Sequence, residues 1–236
     1  MSLLAIAMAL LLAGPQNTDP TTDEARIGSR LDPAARVATN TDKGNHDATM
    51  FRFVQCAVSR REARMRGIVD ARTEPEYQSA LGGLSDVQRC AIGAYVDQST
   101  TSINFGSDRG TLRGFVAEIF IAKDRARAAA LAPLPLQRVY VRDWYGMTGR
   151  VQQVDEMAVC VADTNPAGIL AVLATTIGSK EQRKAIMALA PSLGPCLSTG
   201  FKLSANALGM RTALAEALYH RTYDAPPPPA PEGTKP

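Results

Sequence analysis

The clearest chemistry in the sequence belongs to its four cysteines, Cys56, Cys90, Cys160 and Cys196. They form two pairs of similar spacing, and an even count at repeated spacing is typical of disulfides in exported proteins. A Cys₄ zinc site would usually contain close Cys-x₂-Cys pairs, and a redox centre would need Cys-x-x-Cys. The sequence has neither, so structural disulfides are favoured over metal ligands, with free buried thiols as the alternative.

A second pattern involves charged residues, because Arg113 and Glu118 recur as Arg211 and Glu216 at the same spacing. Five residues along a helix place two side chains about 140° apart, so neither pair is formed within one helix. The four residues are therefore weak candidates for a pocket where two helical units meet. The alternative, which we favour, is that each one bonds a neighbouring helix or loop carbonyl, because buried charges usually keep partners.

Motifs for catalysis or cofactor binding are absent from the sequence. There is no Gly-x-Ser-x-Gly, His-Glu-x-x-His, Ser-x-x-Lys, Walker loop or dinucleotide fingerprint. Gly106, Gly110 and Gly114 resemble a phosphate loop only superficially, and helix capping with close helix packing explains them better. His46 and His220 lie near the two ends of the folded part. We predict no cofactor and no metal, and the sequence favours a non-enzymatic protein without deciding the matter.

The elements that would position these residues occur twice. Residues 50–123 and 154–221 align as three blocks in the same order, 53–58 with 157–162, 73–90 with 179–196, and 112–120 with 210–218. Both cysteines of each pair fall at matching places. A duplication therefore selects Cys56–Cys90 and Cys160–Cys196 among the possible connectivities.

The local patterns within each copy predict helices. Apolar residues of the last block fall at i, i+3, i+4, i+7 and i+8 in both copies, which gives each helix one apolar stripe. Helix starts are indicated by capping-box spacing and by a cap residue followed by proline, at Ser59–Glu62, Thr73–Glu76, Ser179–Gln182 and Asn165–Pro166. The predicted fold is all-α, with two tandem copies of a three-to-four-helix unit, each with one internal disulfide, between disordered termini.

Composition completes the predicted organisation. Hydrophobic residues make up 45% of the chain and aromatics only 6%, which favours a helical core, and a net charge of +3 is too small to predict nucleic-acid binding. No transmembrane helix is expected after removal of the leader. The predicted segments are a signal peptide (1–14), a disordered linker (15–45), helical copy 1 (46–132), a connector (133–153), helical copy 2 (154–223) and a Pro-rich disordered tail (224–236).

The repeated cysteine spacing, the apolar leader and the ending of the second copy at 215–220 carry a resemblance. Together they resemble uncharacterised exported proteins of alphaproteobacterial type, over roughly residues 50–221. The resemblance implies export to a periplasm and implies no activity or site residues. We therefore expect a periplasmic or secreted location.

Three functions remain compatible with these features. The leading hypothesis is a non-catalytic helical binding protein of the cell envelope, acting on a protein partner. The second is a carrier that encloses an apolar small molecule or lipid between its helical units. The third, less favoured, is a hydrolase that assembles Glu118, Glu216 or His220 into a site without a sequence motif.

Overall fold

The computed structural model describes residues 40–84, 87, 90, 108–197 and 206–224, with side chains from residue 46 onward. The predicted leader, most of the linker, the tail after Asp224 and Gly106 lie outside the described residues. Within those ranges the chain forms helices joined by irregular segments, and no strand is present. The all-α prediction is therefore confirmed.

Among the described residues, five helices precede the connector, and the first of them begins inside the predicted linker. The helices are α1 (Asn40–Arg60), α2 (Glu62–Asp70), α3 (Glu74–Gly82), α4 (Arg109–Lys123) and α5 (Arg125–Ala129).

Residues 130–151, called the connector below, contain only a short 3₁₀ turn at Tyr145–Met147. Five more helices follow: α6 (Gln152–Thr164), α7 (Pro166–Leu173), α8 (Lys180–Ala188), α9 (Ala190–Cys196) and α10 (Ala207–Tyr223).

Side-chain caps begin several of these helices where the sequence predicts them. Thr73 and Glu76 form the reciprocal capping box of α3. The side chains of Asn165 and Ser179 accept hydrogen bonds from the third amide that follows each of them, at the starts of α7 and α8. Each such bond satisfies an amide that has no partner within its helix.

One predicted helix start is wrong. Ser59 lies inside α1, and its hydroxyl donates to the Cys56 carbonyl at 2.7 Å. α2 begins at Glu62 without a side-chain cap. The reason is that a serine hydroxyl in the last turn of a helix can bond back to its own helix, so the Ser-x-x-Glu spacing does not by itself mark a start.

The core is built around α4 and α10, which pack along each other and against helices of both halves of the chain. Each is buried on nearly all its faces, not only along its apolar stripe. The two backbones come closest at Gly114, where an added Cβ would lie 2.6 Å from the Thr212 Cα. Glycine at this position therefore permits the close crossing of the two central helices.

Two disulfides fix the outer helices, and both pairings are as predicted. Cys56 of α1 is bonded to Cys90, with Cα atoms 5.7 Å apart. Cys160 of α6 is bonded to Cys196 at the end of α9, with Cα atoms 5.6 Å apart. Bonds of this kind form and persist in oxidising compartments, so the pair of disulfides indicates such a compartment.

No single helix in the described ranges is both long enough and apolar enough to cross a membrane. α6 and α7 pass the length and composition test only together, and the two helices are bent by 108° at their junction.

Candidate functional site

A cavity of about 850 Å³ lies between the connector and the C-terminal part of α10. Small-molecule sites typically occupy roughly 300–1,000 Å³ and combine an apolar wall with a few polar groups. The apolar part of this wall comes from the connector, α6 and α10, with Ala130, Leu131, Ala132, Leu134, Val141, Trp144, Val159 and Ala217.

Charged side chains of the cavity wall are bonded largely to each other. Arg72 joins Asp143 of the connector, at 3.1 Å, to Asp224 at the end of α10, at 2.9 Å. Arg221 lies 3.4 Å from Asp163 and also donates to the carbonyls of Ala162, Asp163 and Ala132. These bonds hold the connector against α6 and α10, so they give the cavity its shape.

Arg142 is the least committed cation of the wall. Its guanidinium donates to the neighbouring Val141 carbonyl at 2.8 Å. Its closest carboxylate, on Asp163, is 3.8 Å away, and about a fifth of the arginine side chain is exposed. Burial raises the pKa of Asp163, against the opposing effect of Arg221 and Arg142. Arg142 therefore keeps donors that a ligand in the cavity can use.

An aromatic pair closes the floor of the cavity. Trp144, fully buried, stacks on His220 with ring centroids 4.5 Å apart. The His220 Nδ1 lies 3.0 Å from Asp224 Oδ2, while its Nε2 is 4.0 Å from the nearest oxygen of Glu216. Both Nε2 of His220 and Nε1 of Trp144 are buried with no hydrogen-bond partner among the described residues. Trp144 is thus part of the interior.

The ionisation of His220 and Asp224 follows from their burial and from the bonds just described. Burial lowers the pKa of His220, although Asp224 and Glu216 oppose the shift. The pKa of Asp224 is lowered in spite of its burial, because His220 and Arg72 both stabilise the carboxylate. At neutral pH the pair is therefore a neutral imidazole beside a charged carboxylate.

The four charged residues singled out in the sequence meet at the α4–α10 crossing, as two reciprocal ion pairs. Arg113 of α4 donates to Glu216 of α10 at 2.5 Å, and Arg211 of α10 donates to Glu118 of α4 at 2.6 and 2.8 Å. All four are at least 95% buried.

Each of these arginines also bonds the C-terminal end of an outer helix. Arg113 donates to the carbonyls of Ile68, Val69 and Ala71 at the end of α2. Arg211 donates in the same way to Val172, Leu173 and Thr175 at the end of α7. Carbonyls of a helix end lack intrahelical partners and carry partial negative charge, so a guanidinium there is stabilising.

The two ion pairs differ in one respect, since Glu216 has a second cationic partner. Arg150 of the connector donates to Glu216 at 2.5 Å and to Asp155 at 2.7 Å, and Thr148 also donates to Asp155. Burial opposes the ionisation of Glu216, but Arg150 and Arg113 together lower its pKa. This network joins the connector to the centre of the molecule.

None of Arg113, Glu118, Arg211 or Glu216 lines the cavity. Their bonds agree with the alternative favoured from the sequence, in which each charged side chain bonds a neighbouring helix or a loop carbonyl. The charged residues that do line the cavity come from four parts of the chain, which are residue 72, the connector, α6 and the end of α10, and these parts share no repeated spacing. In the sequence, the local sign of this site is that two charged residues, Arg142 and Asp143, directly precede Trp144.

Among the described residues, this site has neither a hydroxyl or thiol nucleophile nor a metal-binding cluster. The described residues lining the cavity include no Ser, Thr or Cys that could act as a nucleophile beside His220. Over the described ranges, no group of three or more His, Cys, Asp and Glu side chains is placed to hold a metal ion. What the arrangement offers is an apolar surface with paired charges at its rim.

Fold and cavity together define a disulfide-bonded, all-helical protein with a candidate binding cavity. Comparison with protein-family models, curated proteins and solved structures gave no match.

Proposed function

We propose that this chain is a non-catalytic binding protein of the cell envelope that holds its ligand at the connector–α10 cavity. The observation that carries the proposal is the cavity itself, about 850 Å³, with an apolar wall and a rim of charges. The rim charges are already bonded to one another, which suits a surface that holds its shape and recognises a ligand.

A periplasmic or secreted location is part of this proposal. It is supported by the two disulfides, which favour an oxidising compartment. The apolar stretch at residues 1–14 and the resemblance to exported proteins of alphaproteobacterial type agree with it.

A tandem duplication is the second part of the proposal, and reciprocal contacts support it. Arg113 and Arg211 occupy matching places in the aligned blocks. Each donates to the end of the second helix of its own half, and each is paired with the glutamate of the other half. Gly114 and Thr212, which touch at the crossing, also occupy matching places. An interface of two related units, each presenting the same surface, would produce such reciprocity.

A small-molecule carrier is the second candidate within the binding class, and the volume and apolar wall of the cavity favour it. The hydrolase hypothesis has less support. Glu118 and Glu216 are held by arginines at the α4–α10 crossing, and His220 has no hydroxyl or thiol neighbour among the residues that line the cavity.

Photo-crosslinking in cells tests the proposal. A photoreactive phenylalanine derivative would replace Val141, which lines the cavity and is 70% exposed. The matched control is Met187 on α8, which is 71% exposed and does not line the cavity. We expect adducts from position 141 and not from position 187. Equal labelling at both positions, or none, would overturn the proposal.

Native mass spectrometry of the oxidised chain then separates the candidates. The carrier is favoured if the wild-type chain retains a small-molecule mass that is lost in Ala132→Phe, a substitution that fills the cavity. The same mass should be kept in Ala122→Phe, a substitution at an exposed position of α4. A bare chain that still crosslinks at position 141 would favour a macromolecular partner.

A further inference from the structure

The connector carries a strip of exposed aliphatic side chains beside the cavity. Leu134, Leu136, Val139 and Val141 expose between 46% and 70% of their surface. Single exposed aliphatics are ordinary, but four within eight residues of one irregular segment form a continuous apolar surface. We define this surface, residues 134–142, as the connector strip.

Three residues of the strip alternate in exposure. Val139 and Val141 are exposed while Tyr140 between them is 6% exposed, which is the pattern that a short extended segment gives. Within the described residues, the amides of Val139, Tyr140 and Val141 donate to no protein group. Backbone amides without a protein acceptor can pair with an added strand.

The charge of the strip has one sign. Between residues 131 and 142 the only charged side chains are Arg138 and Arg142, and the next residue, the carboxylate Asp143, is paired with Arg72 at 3.1 Å. Arg138 is exposed, and Arg142 keeps free donors because its nearest carboxylate is 3.8 Å away. A partner lying along the strip would therefore gain from acidic side chains next to its aliphatic ones.

We propose that the connector strip binds an extended peptide segment of another protein, one in which aliphatic residues alternate with Asp or Glu. The segment pairs its backbone with that of residues 139–141 and places side chains against the apolar wall of the cavity. This inference rests on the proposed function, since it names the ligand of the same site.

Two other occupants fit the strip less well. A lipid surface would accept the aliphatic side chains but would leave the free amides without hydrogen-bond acceptors. A second copy of the chain, paired antiparallel through the same strip, would bring Arg138 and Arg142 close to the same arginines of its partner, and like charges across paired strands are destabilising.

Affinity selection with two peptide libraries tests the inference. In one library aliphatic residues alternate with Asp or Glu, and in the other they alternate with Lys or Arg. The immobilised full chain, kept oxidised, should enrich the acidic library over the basic one by about tenfold or more, as expected for charge pairs at an interface rim. Selected peptides should lose binding when alternate backbone amides are N-methylated.

Charge-reversal variants identify the strip as the binding surface. Arg138→Glu together with Arg142→Glu should invert the preference between the libraries. Arg138→Glu alone should reduce it, and this exposed side chain can be changed without disturbing the fold. Lys184→Glu, an exposed cation on α8, should leave the preference unchanged.

Equal recovery of both libraries, or recovery of neither, would overturn the inference. It would also be overturned if the chain binds phosphatidylglycerol vesicles, or associates with itself, and the strip variants abolish that binding. Crosslinking from position 141 distinguishes a failure of the peptide inference from a failure of the proposed function. If position 141 still captures a ligand while neither library binds, only the peptide inference fails.

Discussion

Trp144 stacks on His220, with planes inclined by 17° and ring centroids 4.5 Å apart. The indole belongs to the connector and the imidazole to the last turns of α10, so this contact joins two walls of the cavity. Asp224 and Arg72 extend it, since Asp224 bonds the imidazole and Arg72 bonds both Asp224 and Asp143 of the connector. His220 therefore links α10 to the connector, and a proton on its imidazole would change the charge at this contact.

The first prediction concerns pH. Burial lowers the pKa of His220 below 6.5, so just below pH 6.5 the unfolded chain binds a proton that the folded chain does not. The free energy of unfolding should therefore fall as the pH drops from 6.5 toward the lowered pKa. Urea unfolding of wild type and His220→Phe, which keeps a ring against Trp144, should show this slope in the wild type only.

Two observations control for other titrating groups. The chain's other histidine, His46, is exposed, so His46→Gln should keep the wild-type slope. Trp144 is the only tryptophan, and its emission should be quenched when the stacked imidazole becomes a cation. An unchanged slope in His220→Phe would mean that carboxylates such as Asp163 dominate this pH range.

Local sequence patterns predicted the helices because short-range chemistry forms them. Thr73 with Glu76, and Asn165 before Pro166, cap helices through bonds within one turn. The pairing of the cysteines followed from internal similarity, which aligned Cys56 with Cys160 and Cys90 with Cys196. Ser59 shows the limit of such patterns, because the same hydroxyl can bond its own helix.

The cavity was beyond prediction for a physical reason. Arg72, Asp143, Asp163 and Asp224 come from four separate segments, and only the packing of α6 and α10 against the connector brings them together. The 140° angle between Arg113 and Glu118 did indicate partners outside their helix. It could not indicate which charge would be the partner.

The second prediction concerns the disulfides and the leader. In a Gram-negative host the chain with residues 1–14 should contain two disulfides, and the chain without them should remain reduced in the cytoplasm. Removing one disulfide, as Cys160→Ser with Cys196→Ser, should cost about 3–4 kcal/mol for a loop of this size. Thiol alkylation with mass measurement, followed by urea unfolding, tests both statements, and disulfides in the truncated cytoplasmic chain would contradict the first.

The third prediction concerns the crossing of α4 and α10. Gly114→Ala places a Cβ 2.6 Å from the Thr212 Cα, so the helices must separate, at a cost of about 1–3 kcal/mol or more. Gly82→Ala at the end of α3 would meet no atom of a neighbouring element within 4 Å and should be neutral or stabilising by up to about 1 kcal/mol. Thermal unfolding of the two variants measures the difference, and similar stabilities would show that the crossing is not tightly packed.

The fourth prediction uses the difference between the two buried ion pairs. Arg211→Met leaves Glu118 buried without another cationic partner among the described residues, and should cost about 3–5 kcal/mol. Arg113→Met leaves Glu216 bonded to Arg150, so its cost should be smaller, although each variant also loses three bonds to helix-end carbonyls.

Urea unfolding of the single and double variants resolves the charge effect from the loss of packing. Arg211→Met combined with Glu118→Met removes both charges, and the double variant should be more stable than Arg211→Met alone. Arg113→Met should gain little from a further Glu216→Met, because that change leaves Arg150 without its strongest partner. Equal losses for Arg113→Met and Arg211→Met would mean that the helix-end bonds, which the two arginines share, outweigh the pairing of the buried carboxylates.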